Sequence, residues 1–231
     1  DTWPIAELNM WYHTLNAGFK TRISGETDFP CITGSRVGIW RSYVRLENEL
    51  TYDAWCEGIS KGTNYVSDGF SHLIDFKVND LLSGEENSTI RLSQAGKVKV
   101  NVNVIAHLKE KHDHFTNFYL TPGSEWSPTP WSVERAVKDG KVKVEVVVNG
   151  QPAEAKWINI NDGLKDFEFD VVIKQSSWVA VRIFPSSHTN PVWVTVDDQP
   201  VRASKKSVEW LMKGVEKCWE SKKQFYDIDE M

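Results

Sequence analysis

The chain has 231 residues, 40% of them hydrophobic, which is enough for one large core or two small ones. A formal net charge of -5 excludes the basic footprint of a nucleic-acid binder and gives no attraction to anionic lipid. No apolar run reaches the roughly 18 residues of a membrane span, and three widely spaced cysteines, Cys31, Cys56 and Cys218, make neither a disulfide framework nor a zinc knuckle.

Eleven tryptophans is a high number, and such residues either fill cores or stack on sugar rings. The first residue is Asp1, with no initiator methionine and no visible signal peptide. This reads as a processed product or a piece of something longer, and it leaves a secreted or periplasmic location open.

In chain order, "TWPIAELNMWYHTLNAGF" predicts a helix capped by Thr2, with Pro4 in its first turn and Gly18 at its end. Ile5, Leu8, Tyr12 and Leu15 recur at helical spacing. "KTRIS" then reads as a short strand, followed by an acidic loop, the layout of the C-terminal mouth of an α/β barrel. "RSYVRLE", 41–47, is strand-like, and "YDAWCEGISKG", 52–62, is a short helix closed by Gly62.

From about residue 64 to 198 the character is β. Val98, Val100, Val102 and Val104 alternate with polar residues, and Asn149-Gly150 sits between extended runs as a hairpin signal. This predicts an antiparallel β-sandwich with a long Pro- and Ser-rich excursion at 118–132. In the last element, Val208, Leu211, Met212, Val215, Cys218 and Trp219 fall on one helical stripe that should bury against the rest. Ser204 is placed to cap that helix, and Glu209 to pair with Lys213 one turn on.

Several groups carry possible chemistry. Glu26 and Asp28 in "SGETDFPC" are carboxylates two residues apart, suited to a divalent cation or to general base work, or simply an acidic turn. His112 and His114 form an H-x-H in a highly charged stretch that reads as a solvated loop. His188 lies between serines and an Asn-Pro turn, and His72 follows the Asp68-Gly69 turn; for both, a structural role stands beside a site-lining one. Phosphate-binding glycine loops, a G-x-S-x-G elbow and an H-E-x-x-H helix are absent from the sequence.

Three stretches, "WYHTLNAGFKTRISGETDFPC", "YDAWCEGISKGTNYVSDGFSHLIDFKV" and "SSHTNPVWVTVDDQPVRASKKSVEWL", together resemble the C-terminal portion of the CehA/McbA-type metallohydrolases of the PHP domain superfamily. Their order and spacing match from about residue 8 to 220, with little signal in 84–170. The resemblance implies a PHP barrel that hydrolyses phosphoester, carbamate or similar bonds with a metal-activated water, followed by a β-sandwich and a final helix. By position, Asp28 resembles the metal-ligating aspartate of the motif that ends the barrel, and Glu26 accompanies it. Both are expected as metal ligands or water activators. Arg41 is expected to neutralise an anionic substrate or transition state. Tyr43, His72 and His188 are expected at the substrate mouth.

The chain departs from that pattern where Pro30, beside Cys31, replaces the motif histidine. The family's upstream metal ligands also precede the point where this sequence begins. The expected cofactor is therefore a divalent metal (Zn, Mn or Fe) in the intact parent and none in this chain alone. The expected partner is the missing N-terminal half of the barrel, in the same polypeptide or a second chain. The substrate would be a small molecule or a sugar.

The expected fold is mainly β. Residues 1–50 form an N-terminal remnant of an α/β barrel, 51–200 an antiparallel β-sandwich with a short leading helix, and 201–231 a C-terminal amphipathic helix. The expected function is that of the C-terminal part of a metal-dependent hydrolase, inactive as the isolated chain. The alternative is a non-catalytic accessory module, either carbohydrate-binding through Trp126 and Trp131 or purely structural. Burial of those tryptophans would favour the structural role.

Overall fold

The computed structural model describes residues 4–27, 37–38, 40–109, 111, 131 and 137–226. Helix α1 spans Pro4–Asn16 and buries Ile5, Tyr12 and Leu15, three of the four positions predicted from its periodicity, with Leu8 half-buried. It ends at Gly18, whose φ of +98° suits a residue without a Cβ, and where a Cβ would stand 2.7 Å from the Val201 carbonyl oxygen. The predicted cap Thr2 lies outside the described residues.

The "KTRIS" segment does not become a strand. Its backbone is held instead by two side-chain amides: Asn64 Nδ2 donates to the Ile23 carbonyl (2.8 Å), and the Ile23 N–H donates to Asn190 Oδ1 (2.9 Å). Strand β1 (Arg41–Val44) follows, then α2 (Tyr52–Lys61). Helix α2 is capped by the Thr51 hydroxyl on the Ala54 N–H and closed by Gly62 at φ +81°.

The rest is mainly antiparallel β-sheet: β2 (Asn64–Ser67), β3 (Ser71–Val78), β4 (Leu81–Leu82), β5 (Thr89–Leu92), β6 (Gly96–Ala106), β7 (Val137–Lys138), β8 (Lys141–Val148), β9 (Gln151–Asn159), β10 (Lys165–Ile173), β11 (Ser177–Ile183), β12 (Ser187–Thr189) and β13 (Val192–Val196). Nine of these strands form one sheet, in which β1, β2, β12 and β11 are successive neighbours; β8 and β9 extend from β11, and β13 pairs with β5 in parallel. The other sheet runs β10-β6-β3-β4. The β8–β9 turn is Asn149-Gly150, both at positive φ, as the hairpin signal requires.

The two sheets share a core in which Val98, Val100, Val102 and Val104 of β6 meet Val179, Val181 and Ile183 of β11. The outer face of the larger sheet is covered as well. Tyr12 and Leu15 of α1 pack with Trp178 and Ala180 of β11, Trp193 of β13, and Trp131. Strand β11 is therefore buried along its whole length, because each face of the pleat meets a different layer.

Helix α3 (Lys205–Lys222) is capped by Ser204 on the Ser207 N–H. The apolar stripe predicted to bury does not: Val215 is 70% exposed, and Val208, Met212, Cys218 and Trp219 also face out. Among the described residues the helix docks through its first turns, where Ser207 Oγ meets His13 Nδ1 at 2.9 Å and Trp210 stacks on the His13 ring. Its hydrophobic period specifies an amphipathic helix but does not say which of its turns will be covered.

Candidate functional site

A cavity of about 260 Å³ opens where α1, the 22–26 segment and β12 meet. Trp11, Trp40 and Phe184 contribute aromatic surface, and Glu7, Glu26, Arg182, Ser187 and His188 are among the other lining residues. Of the sequence-predicted site residues, this cavity brings together Glu26 and His188. Glu26 is held beside β1 because the preceding Gly25 runs against Arg41 and donates its N–H to Ser42 Oγ (2.9 Å). A Cβ at Gly25 would come within 3.0 Å of the Arg41 backbone, so that close approach favours glycine.

His188 is fixed from both nitrogens. Its Nδ1 lies 2.7 Å from the Thr189 carbonyl, which can only accept, so Nδ1 carries the proton. Nε2 then accepts from the Tyr12 hydroxyl at 2.6 Å. Tyr12 in turn accepts from Arg182 Nη1 at 3.4 Å, and Arg182 Nε donates to Glu145 Oε2 at 2.9 Å. Lys143 completes the run with an ion pair to Glu145 Oε1 at 2.9 Å. Burial lowers the pKa of His188 to about 3; the Thr189 hydrogen bond works against this shift and the Arg182 charge adds to it. The imidazole is thus neutral and committed at both ends.

A second run of hydrogen bonds reaches the same strand from the other side. Ser186 Oγ donates to Asp68 Oδ1 (2.6 Å), and Ser71 Oγ lies 2.7 Å from Ser186 Oγ and 2.6 Å from Ser187 Oγ. Ser67 Oγ donates to the Ser71 carbonyl. Burial raises the pKa of Asp68, against the hydrogen bonds from Ser186 and the Phe70 N–H and the charge of Arg41.

Arg41, Tyr43 and His72 form a separate group across β1, β2 and β3. Arg41 Nη1 donates to Tyr43 Oη (3.2 Å), Tyr43 stacks on Tyr65, and His72 meets Tyr43 edge-on and bonds Tyr65 Oη through Nδ1 (2.8 Å). Burial lowers the pKa of His72, with Arg41 and His107 adding to the effect.

Asp28, Pro30, Cys31, His112, His114 and Trp126 lie outside the described residues. Trp131 is buried, with its indole N–H donated to Asn9 Oδ1 at 3.1 Å, and so does not serve as an exposed sugar platform.

The described residues do not by themselves fit a metal ion. Both His188 nitrogens are already committed, and among the described residues no three His, Cys, Asp or Glu side chains gather as ligands. A divalent metal would need Asp28 and donors beyond the described set.

Sequence reading missed Tyr12, Glu145, Arg182 and the serines at 71, 186 and 187. One signal for Arg182 was present. In "SWVAVRI" it shares parity with Trp178 and Ala180, on a strand apolar on both faces. No protein-family model and no curated protein matches this chain.

Proposed function

We propose that this chain is the β-rich C-terminal part of a metal-dependent hydrolase of the CehA/McbA kind, in which it shapes the substrate mouth and does not activate water. In this reading residues 1–50 belong to the edge of an α/β barrel, and the groups that complete the catalytic centre come from the barrel's other portion. The observation that supports it best is the cavity at the 22–26 segment, immediately before Asp28, lined by Glu26, Ser187 and His188. The three stretches that carry the family resemblance all contribute to this part of the molecule: Trp11 of α1 and 22–26 from the first, Val66 of β2 from the second, and β12 from the third. The commitment of both His188 nitrogens assigns that residue to holding the wall and excludes it as a base.

The test is to join the chain to the coding sequence directly upstream of Asp1 and assay phosphodiester and carbamate substrates with added zinc or manganese. The longer polypeptide is expected to turn over in a chelator-sensitive way, while the 231 residues alone are inactive. Chelator-sensitive turnover by the 231 residues, or an upstream sequence without a barrel, overturns the reading.

A structural reading is favoured by one observation, the burial of Trp131 beneath α1. In that case the sheets only support the neighbouring barrel, and the upstream experiment gives a hydrolase whose KM is indifferent to Glu26→Gln.

A further inference from the structure

We infer that Asn64, Asn190 and Ser42 are positioning residues for the cavity: their side chains stand in for a strand partner and set the place of its 22–26 wall. The inference rests on the reading of this cavity as the substrate mouth. None of the three is among the lining residues, so each acts through the wall.

Arg22, Ile23, Ser24, Gly25 and Glu26 line the cavity as five consecutive residues. They run close along β1: a Cβ on Gly25 would stand 2.9 Å from the carbonyl carbon and oxygen of Arg41 and 3.0 Å from its nitrogen. The segment nevertheless forms no strand, and Ile23 is half-buried. Backbone polar groups taken from water need partners, and here side chains supply them.

The partners form a closed ring. The Ile23 N–H donates to Asn190 Oδ1 (2.9 Å). Asn190 Nδ2 donates to Asn64 Oδ1 (2.8 Å) and to the Asn64 carbonyl (2.9 Å). Asn64 Nδ2 donates to the Ile23 carbonyl (2.8 Å) and closes it. The directions are forced from both ends. An N–H can only donate and a carbonyl can only accept, so Asn190 must present its oxygen to Ile23 and Asn64 its nitrogen. The remaining ends of the two amides then match each other. Turning the Asn190 amide over would set its nitrogen against the Ile23 N–H and its oxygen against both Asn64 oxygens. Asn64 is 3% exposed and Asn190 1%, so water does not replace a lost partner, and one arrangement is selected.

The ring also sets the two sides of the cavity against each other. Asn190 comes two residues after His188, which lines the opposite side, and Asn64 begins β2, which pairs with β12. The wall is thereby tied to the strand that carries His188. Its ends have separate holds. The Gly25 N–H donates to Ser42 Oγ on β1 (2.9 Å). Arg22 gives Nε to the Lys61 carbonyl, Nη1 to the Lys20 carbonyl and Nη2 to Asn87 Oδ1.

The experiment is native-state amide exchange, read by NMR on the whole 231-residue chain. The Ile23 and Gly25 amides are expected to be protected, although neither lies in a strand. Asn190→Ala is expected to speed exchange at both by about tenfold, the scale of one net hydrogen bond. Val102 in β6 should change only as far as global stability does in urea. Ser42→Ala is the milder variant, should Asn190→Ala fail to fold, and it too is expected to speed both amides. The inference is overturned by unprotected Ile23 and Gly25 in the parent chain, or by acceleration confined to the amide that lost its own acceptor. Equal changes at Ile23 and Val102, the mark of a purely structural role, also overturn it. In the longer polypeptide, Ser42→Ala is expected to raise KM with kcat held, and to add nothing to Glu26→Gln, because both alter the same wall. An unchanged KM or additive effects count against the inference. A longer polypeptide without turnover counts against the hydrolase reading alone, and amide exchange then decides.

Discussion

The Glu145→Leu substitution tests the network that ties α1 to the larger sheet. Glu145 and Arg182 side chains are 4% and 1% exposed, and their contact is 2.9 Å. Lys143, at 13%, can turn towards water, but Arg182 cannot lose its proton and has no route to solvent. Removing the carboxylate leaves a guanidinium charge buried without its counter-ion. The usual cost of breaking such a pair from one side is about 3–5 kcal/mol. Against a domain stability of about 5–15 kcal/mol this is a large fraction. With a urea m-value near the upper end of about 1–3 kcal/mol/M, the midpoint falls by roughly 1–2 M. The assay is equilibrium urea unfolding followed by far-ultraviolet circular dichroism and tryptophan fluorescence. The double variant Glu145→Leu/Arg182→Met removes both charges, and it is expected to recover most of the loss, since apolar replacement of a buried pair is often neutral or stabilising. A single-variant cost under about 1 kcal/mol, or a double variant as unstable as the sum of its parts, refutes this account.

Stability should also fall as the pH is lowered. His188 has its native pKa lowered to about 3, and His13 and His72 shift in the same direction through burial. Between about 3 and the ordinary histidine value of about 6.5 the unfolded chain binds the extra proton at position 188. The stabilisation is therefore complete above that upper value and is lost as pH falls, by at most about 1.4 kcal/mol per pH unit for each group. Asp68, with its raised pKa, acts in the opposite sense: its contribution is present below the ordinary aspartate range and is lost as pH rises through its native value. Urea midpoints measured from pH 4 to pH 8 (about the span over which histidine titrates) should rise with pH. The slope should be reduced in His188→Gln, and a flat profile contradicts the assignment. Separately, Gly150→Ala places a Cβ 2.7 Å from a Trp131 ring carbon and 2.9 Å from Tyr12 Cδ2 at φ +88°. A loss of roughly 2 kcal/mol or more is expected in the same unfolding assay, whereas Gly163→Ala, with nothing within 4 Å, should be near neutral.

The sheets and the first two helices were legible because their signals are local. Valine alternation in β6, Asn149-Gly150, the α1 spacing and the Gly62 stop each specify geometry without reference to distant residues. What was not legible depends on which surfaces meet. "KTRIS" has strand composition, but Asn64 and Asn190, far along the chain, take its backbone groups. The α3 stripe announces a buried face, and among the described residues its first turns are the part that finds one. Glu145 reads as an ordinary outward charge on β8 until α1 covers that face of the sheet. The site was half legible: Glu26 and His188 attracted attention as ionisable residues, whereas Ser71, Ser186 and Ser187 brace β12 from its other face through a hydrogen-bonded chain that no short motif encodes.

The two polar runs converge on β12, and this explains why a three-residue strand can form the floor of a pocket. Strand β12 is held laterally by backbone pairing to β11 and β2. Its side chains are held separately: Ser187 by the serine chain from β3, His188 by Tyr12 on α1, and Thr189 through its hydroxyl, which accepts from the Val181 N–H at 3.0 Å. Each of these bonds is made by a buried group, for which loss of the partner leaves an unpaid desolvation cost. Alternative rotamers of Ser187 and His188 are thereby penalised in the folded protein. Strand β12 is consequently braced from both faces, by Ser71 of β3 on one side and by Tyr12 of α1 on the other.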